Sequence, residues 1–244
     1  MTALIKAELL KVRSTRTTLG LMLGLIAIVV LFSLLTGLLT HADSLSSTEN
    51  QRELLHIGSL AGVFSALAGV LLVTSEYRYG TIRPTLLFTP RRPRVLAAKL
   101  AAGVLAGLVF GIVGEGVGFG LGYATLTGRG IPISLSSRDI ELLIVGAVAS
   151  TALWGAMGVG LGAIIRNQVG AVITLLAWGF IVDNLLFGLV PSLGRLTPTR
   201  AEDAFSGLTT DHLLSPAGGA VALIAWAAVL ALLALPLMTR RDVN

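Results

Sequence analysis

The sequence predicts an all-α membrane protein with six transmembrane helices, and three observations carry that reading. Of its 244 residues, 54% are hydrophobic and 13% charged, and the mean hydropathy is +0.86, well above the range of a soluble domain. Six apolar stretches run along the chain, each about 20 residues or more, enough at about 1.5 Å rise per residue to cross a hydrocarbon core of about 30 Å. Short strands of alternating polarity, as in an outer-membrane barrel, are absent from the sequence. Helices follow, because a backbone in lipid must satisfy its polar groups within its own segment.

Residues 1–16, MTALIKAELLKVRSTR, pattern an amphipathic helix. Leu4, Ile5, Leu9 and Val12 share one side, and Lys6 and Arg13 fall seven apart on the other. This predicts an N-terminal interfacial helix whose polar residues are Lys6, Glu8, Lys11 and Arg13. A basic anchor that merely fixes orientation is the plainer alternative. The first span, 19–39, is longer than the apolar core of a secretory signal and is not followed by a small-residue cleavage site, so it is expected to be retained.

The second span is read at 54–73, and the segment 74–95, TSEYRYGTIRPTLLFTPRRPRV, follows as a charged loop with five arginines and one glutamate. Orientation and lipid headgroups account for Arg91, Arg92 and Arg94. They account less well for Glu76, Tyr77 and Arg78, a mixed acidic, aromatic and basic run better suited to docking a protein. The third span, 96–126, carries glycines at spacing four, Gly103, Gly107, Gly111 and then Gly114, Gly118, Gly122. Such rows let other helix backbones approach closely, so this span is expected to pack against protein on more than one side, with intramolecular packing favoured over a dimer contact.

The fourth and fifth spans, 142–165 and 169–190, are separated by Arg166, Asn167 and Gln168 alone, which demands an antiparallel hairpin. An external segment, 191–216, holds Pro191, Pro198 and Pro216 with Glu202, Asp203 and Asp211, and has room for a short interfacial or re-entrant helix around 201–208. The last span is 217–238.

With six spans both termini lie on one side, and charge says which. Thirteen of the 18 lysines and arginines fall in 1–18, 74–99, 166–168 and 239–244, against Arg52, Arg129, Arg138, Arg195 and Arg200 elsewhere. The positive-inside bias therefore predicts cytoplasmic termini and a cytoplasmic 74–95 loop. The net charge of +5 reports topology, so no nucleic-acid partner is needed. An excess of arginine over lysine with abundant Ala, Gly, Leu and Val fits a GC-rich bacterial genome, hence a bacterial cell membrane.

There is no cysteine, and no phosphate-binding G-x-x-x-x-G-K-[ST], H-E-x-x-H or G-x-S-x-G pattern. The three histidines are scattered. No catalytic residue, no metal site and no cofactor bound by this chain are expected. Two ionisable residues do fall inside spans, Glu115 and Asp183, both in the outer half. Charge at such depth is costly and faces protein or water, which makes these two candidates for a translocation path.

Four stretches, AELLKVRST, SEYRYGTIRPTLL, GVGLGAIIRNQVGAV and LSPAGGAVALIAWAAVLALLALPLMTRRDV, together touch nearly the whole chain. In their order and spacing the sequence resembles the type-2 ABC exporter permeases, small bacterial six-span proteins that pair with a separate ATPase. The resemblance implies a second permease subunit, identical or related, and two ATPase subunits that use ATP and Mg. It also implies a coupling helix between the second and third spans, which maps onto Glu76, Tyr77, Arg78, Gly80, Thr81 and Arg83. Two other classes remain open at this point. One is a proton-coupled secondary transporter using Glu115 and Asp183; the other is a membrane assembly subunit without a transport path.

Overall fold

The structure is a computed structural model that describes residues 1–89 and 91–240, with the backbone alone for Leu86, Thr239 and Arg240. Pro90 and Arg241, which entered the loop and charge readings above, lie outside the described residues, as do residues 242–244.

The described residues are helical, without a strand, and six helical runs are long and apolar enough to cross a membrane. A short helix α1 (Thr2–Ser14) turns at Thr15 into α2 (Arg16–Leu39), the first span. Helices α3 (Ala42–Leu45) and α4 (Thr48–Leu55) and a 3₁₀ turn (Ile57–Leu60) lead into α5 (Ala61–Arg78), the second. After α6 (Ile82–Phe88) come α7 (Arg92–Gly128) and α8 (Ser137–Ile165), the third and fourth. The fifth is built from α9 (Gln168–Ala177), a π-helical turn (Trp178–Val182) and α10 (Asp183–Leu189). Helices α11 (Pro191–Gly194) and α12 (Pro198–Phe205) precede α13 (Pro216–Arg240), the sixth.

Local chemistry explains where these boundaries depart from the apolar stretches. The segment 74–95 is only partly a loop. No breaker stands before Gly80, whose φ of +69° ends the run, so α5 continues through Arg78. The fourth span starts at Ser137 because Ser136 and Asp139 form a capping box, each side chain accepting the other's backbone N–H. Arg166 adopts φ 59° and Asn167 Oδ1 accepts from Gly170 N at 2.8 Å, so one residue closes α8 and the next opens α9. The predicted hairpin of the fourth and fifth spans forms through that pair.

Three helices make the centre: α5, α7 and α8. The glycine rows of α7 are why they fit. A Cβ on Gly103 would stand 2.8 Å from Gly155 O, and one on Gly111 3.1 Å from Val148 Cα, both on α8. On Gly114 and Gly118 it would meet Ala61 Cβ at 2.7 Å and Gly58 N at 2.6 Å, and on Gly122 Leu55 at 3.0 Å. One row thus faces α8 and the other faces α4 and the start of α5, as the spacing predicts, and the contacts are intramolecular. The outer spans differ in kind. In the apolar window of the fourth span 67% is buried, against 6% in the fifth. Leu31, Phe32, Ile173, Ile181, Val221 and Leu232 point away from the protein, as lipid-facing residues do.

Several arginines close helix ends from a distance. The last four carbonyls of a helix have no partner within it. Arg129 donates to Gly37 O at 2.6 Å and Thr40 O at 2.8 Å, closing α2. Arg92 donates to Met238 O at 2.7 Å, and Arg166 to Leu237 O, so both close α13. Arg92 was assigned above with Arg91 and Arg94 to lipid headgroups; its guanidinium instead ties the start of α7 to the end of α13. At the opposite end of the bundle Arg52 bridges Asp139 Oδ1 at 2.6 Å and Gly207 O at 2.5 Å, joining α4, α8 and the turn after α12.

Candidate functional site

At the end of the bundle that carries α1, three helices meet through four charged side chains. Glu8 and Lys11 lie three apart and so share one face of α1. Glu76 stands near the end of α5, and Lys99 lies two turns into α7. Lys99 Nζ donates to Glu8 Oε2 at 2.9 Å and to Leu72 O at 3.2 Å, and pairs with Glu76 Oε1 at 3.0 Å. Lys11 Nζ closes the ring, 2.8 Å from Glu8 Oε1 and 2.6 Å from Glu76 Oε1.

Lys99 is 0% exposed, Glu8 2% and Glu76 5%. All three ammonium protons of Lys99 therefore have acceptors, as burial requires. The ring is neutral overall, two cations against two anions. Burial works against the charge of Lys11, but its hydrogen bonds to Glu76 and Glu8 outweigh that and hold its pKa above the usual lysine value. A buried pair of this kind contributes little net stability but strongly specifies geometry, since any misplacement leaves a charge unpaired.

The sequence-derived residues divide between inside and outside. Of the interfacial-helix set, Glu8 and Lys11 turn toward the protein, and Lys6 and Arg13 are exposed. Leu9 and Val12 pack on the apolar cluster of Leu72, Val73 and Leu96. Of the coupling set, Glu76 is inside the ring, so its carboxylate joins helices of this chain. Tyr77 lies under the Arg166 guanidinium, 5.1 Å from ring centroid to Cζ. Arg78 donates to Gln168 Oε1 at 3.2 Å, reaching the start of α9.

Gly80, Thr81 and Arg83 are exposed at the turn and on α6. Two further residues of α6 went unnoticed in the sequence: Leu87 and Phe88 are 81% and 90% exposed. With Tyr79 they make an apolar and basic knob that hangs from α5 by the Gly80 turn, while Ile82 is buried beneath it.

Glu115 and Asp183 are both buried, and neither makes an ion pair among the described residues. Glu115 sits on α7 beside the 3₁₀ turn, so close to Gly58 that a Cβ there would come within 2.6 Å of Glu115 Oε2. Asp183 follows the π-helical turn; the hydroxyls of Thr197 and Thr199 are near it, but that of Thr197 donates to Gly194 O at 2.6 Å instead. Between them stands a carboxylate that the sequence reading passed over. Glu202 of α12 is 6% exposed, and its Oε2 accepts from Trp154 Nε1 at 2.6 Å. Burial pushes its pKa well up, with the charges of Asp203, Glu115 and Asp183 adding to the push. The sequence reading places it in a short helix near 201–208, and nothing local marks its bond to Trp154, 48 residues away.

No family model matches this chain, and no curated protein matches it.

Proposed function

We propose that this chain is the membrane-spanning permease subunit of an ATP-driven ABC exporter of the type-2 class, in a bacterial cell membrane. Both termini, the α5–α7 connection and the α8–α9 turn then face the cytoplasm, in keeping with the thirteen basic residues in those segments. Helix α1 lies at the membrane surface. ATP and Mg belong to two copies of a separate ATPase, and a second permease subunit, identical or related, completes the unit. The sparsely buried fifth span offers surface for it.

The observation that carries this reading is the mechanical link at the α1 end. The exposed knob of Tyr79, Arg83, Leu87 and Phe88 is joined through the Gly80 turn to the end of the helix that bears Glu76. Through the Glu8–Lys11–Glu76–Lys99 ring, a push on the knob moves α1, α5 and α7 as one body. A partner that closes on ATP has a handle on half the bundle without entering the membrane.

The test is co-purification with the ATPase. Arg83→Glu combined with Phe88→Ala alters only exposed groups, so the permease should insert and run as a single species, yet lose the ATPase and its export activity. Full assembly and full export in that variant would count decisively against the coupling role of α6.

A second reading, proton-coupled secondary transport, is favoured by the buried, unpaired Glu115. It expects transport that persists without any ATPase and collapses with the proton gradient. Under it Glu115→Gln abolishes transport, whereas unchanged transport and pH dependence in that variant remove Glu115 from the mechanism.

A further inference from the structure

Beside α12 a cavity of about 130 Å³ opens between the second, fourth and fifth spans. Val63, Leu176, Phe180, Trp154, Thr199 and Glu202 line it. Its walls are mostly apolar and aromatic; Ser59, Thr199, Asp203 and Glu202 supply the polar groups, and of the two carboxylates only that of Asp203 is paired, with Arg200. One oxygen of the Glu202 carboxylate is taken by Trp154; Oε1 has no hydrogen-bond partner. Arg200, two residues before Glu202, is committed elsewhere: it pairs with Asp203 Oδ2 at 3.0 Å and donates to Asn184 Oδ1 at 2.7 Å. Among the described residues Glu202 has no ion-pair partner. Its neighbours make matters worse for a bare anion, because Asp203, Asp183 and Glu115 all act on it with the same sign.

We propose that this cavity binds the alkylammonium head of a lipophilic organic cation, with Glu202 as counter-ion. The charge of such a ligand supplies what the site lacks, and in a poorly hydrated cavity a carboxylate–ammonium contact is strong. Trp154 and Phe180 add ring faces or edges of the kind that recognise quaternary ammonium groups. Size sets the class further. A cavity of about 150 Å³ accommodates benzene, whereas whole drug-sized ligands need about 300–1,000 Å³. A space of about 130 Å³ thus takes a head group and leaves the apolar remainder outside. The exit is toward lipid, where Phe180 on the fifth span is 61% exposed. A cation of this kind reaches the site from the bilayer without crossing water. As the substrate class of an exporter this rests on the reading proposed above; as a binding site it does not.

Binding of benzyltrimethylammonium to the full chain in lipid nanodiscs, without an ATPase, is the experiment, with neopentylbenzene as the uncharged isostere. Glu202→Gln keeps an acceptor for Trp154 and removes the charge. It is expected to weaken the ammonium ligand by about tenfold or more while leaving the neutral isostere within about twofold. Gly179→Phe is the second variant: Gly179 lines the cavity and a Cβ there meets nothing within 4 Å, so a ring is accommodated at the cavity wall without displacing a neighbour. It should exclude both ligands from a protein whose Glu202 is intact. Undiminished ammonium binding in either variant overturns the proposal, as does equal affinity of the unaltered protein for charged and neutral ligand. If binding behaves as expected but no ATPase associates, the exporter reading falls and the site stands; if the ATPase associates and binding fails, the reverse holds.

Discussion

Lys99→Ala is expected to lower the stability of the folded protein by about 3–5 kcal/mol, the cost of removing one partner from a buried ion pair. The magnitude follows from what is left behind. Glu8 Oε2 loses its ion-pair partner, Glu76 Oε1 keeps only Lys11, and Leu72 O loses the donor it has beyond its own helix. Lys11 remains, but with 42% of its side chain exposed it cannot neutralise two carboxylates at once. The two acids then repel across the gap between α1 and α5, which pushes α1 away from the bundle. Unfolding in an SDS titration measures the loss, and limited proteolysis should cut between α1 and α2 in the variant well before the parent.

Neutralising all four residues together, with Glu8→Gln, Lys11→Met, Glu76→Gln and Lys99→Met, should recover most of the stability, because no uncompensated charge is left buried. Loss of less than about 1 kcal/mol in Lys99→Ala, or no recovery in the fourfold variant, would show that the ring is not what fixes α1. The sign with pH is set by Lys11. Its pKa is raised in the folded protein, so its contribution is complete below the ordinary lysine range and disappears as pH climbs through the raised value. The docking of α1 should therefore be intact at neutral pH and weaken as pH rises into strong alkali.

How much of this was legible in the sequence depends on the range of the interaction. The six spans were plain because length and hydropathy are local properties, and the glycine rows of α7 were plain because a spacing of four marks one face of a helix whatever it meets. The ring could not be read in that way. Lys99 lies 91 residues from Glu8, and by composition it counts as one more basic residue at a membrane edge. Only the proximity of three helices turns it from an orientation signal into a buried cation. One hint was present, the Glu8–Lys11 pair on the polar side of an otherwise basic helix, which places an acid where lipid headgroups favour none.

Arg92, Arg129 and Arg166 teach the same lesson. The charges of Arg92 and Arg166 obey the topology rule and that of Arg129 falls on the other side, yet all three guanidinium groups satisfy carbonyls at the ends of helices more than 70 residues away. Glu202 is a further case. It was placed in a short helix of the external segment and given no role, because its partner Trp154 lies 48 residues away in sequence, beside the wall of a cavity.

Gly107→Leu should cost about 3 kcal/mol or more, with Gly107→Ala at about 1–3 kcal/mol, the range for overpacking a filled core. The reason is a specific notch. A Cβ at this position would lie 2.5 Å from Thr151 O, 2.7 Å from Ser65 Oγ and 2.8 Å from Ala152 Cα. Two of those three atoms are backbone and cannot rotate away. The third is engaged, because Ser65 Oγ donates to Thr151 O at 2.8 Å and so ties α5 to α8 across the face of α7. A methyl group there must either break that buried hydrogen bond or drive α7 off α8.

Neither outcome is cheap, since Gly103 and Gly111 hold the same interface one turn to either side and would have to separate with it. Gly116 and Gly120 provide the control within the same helix. No atom stands within 4 Å of a Cβ at either, so alanine there should be neutral or stabilise by about 0.5–1 kcal/mol through helix propensity. SDS titration of Gly107→Ala beside Gly116→Ala separates packing from propensity in one comparison. If the two shift by the same amount and in the same direction, the close crossing of α7 and α8 is not what holds the centre of this bundle.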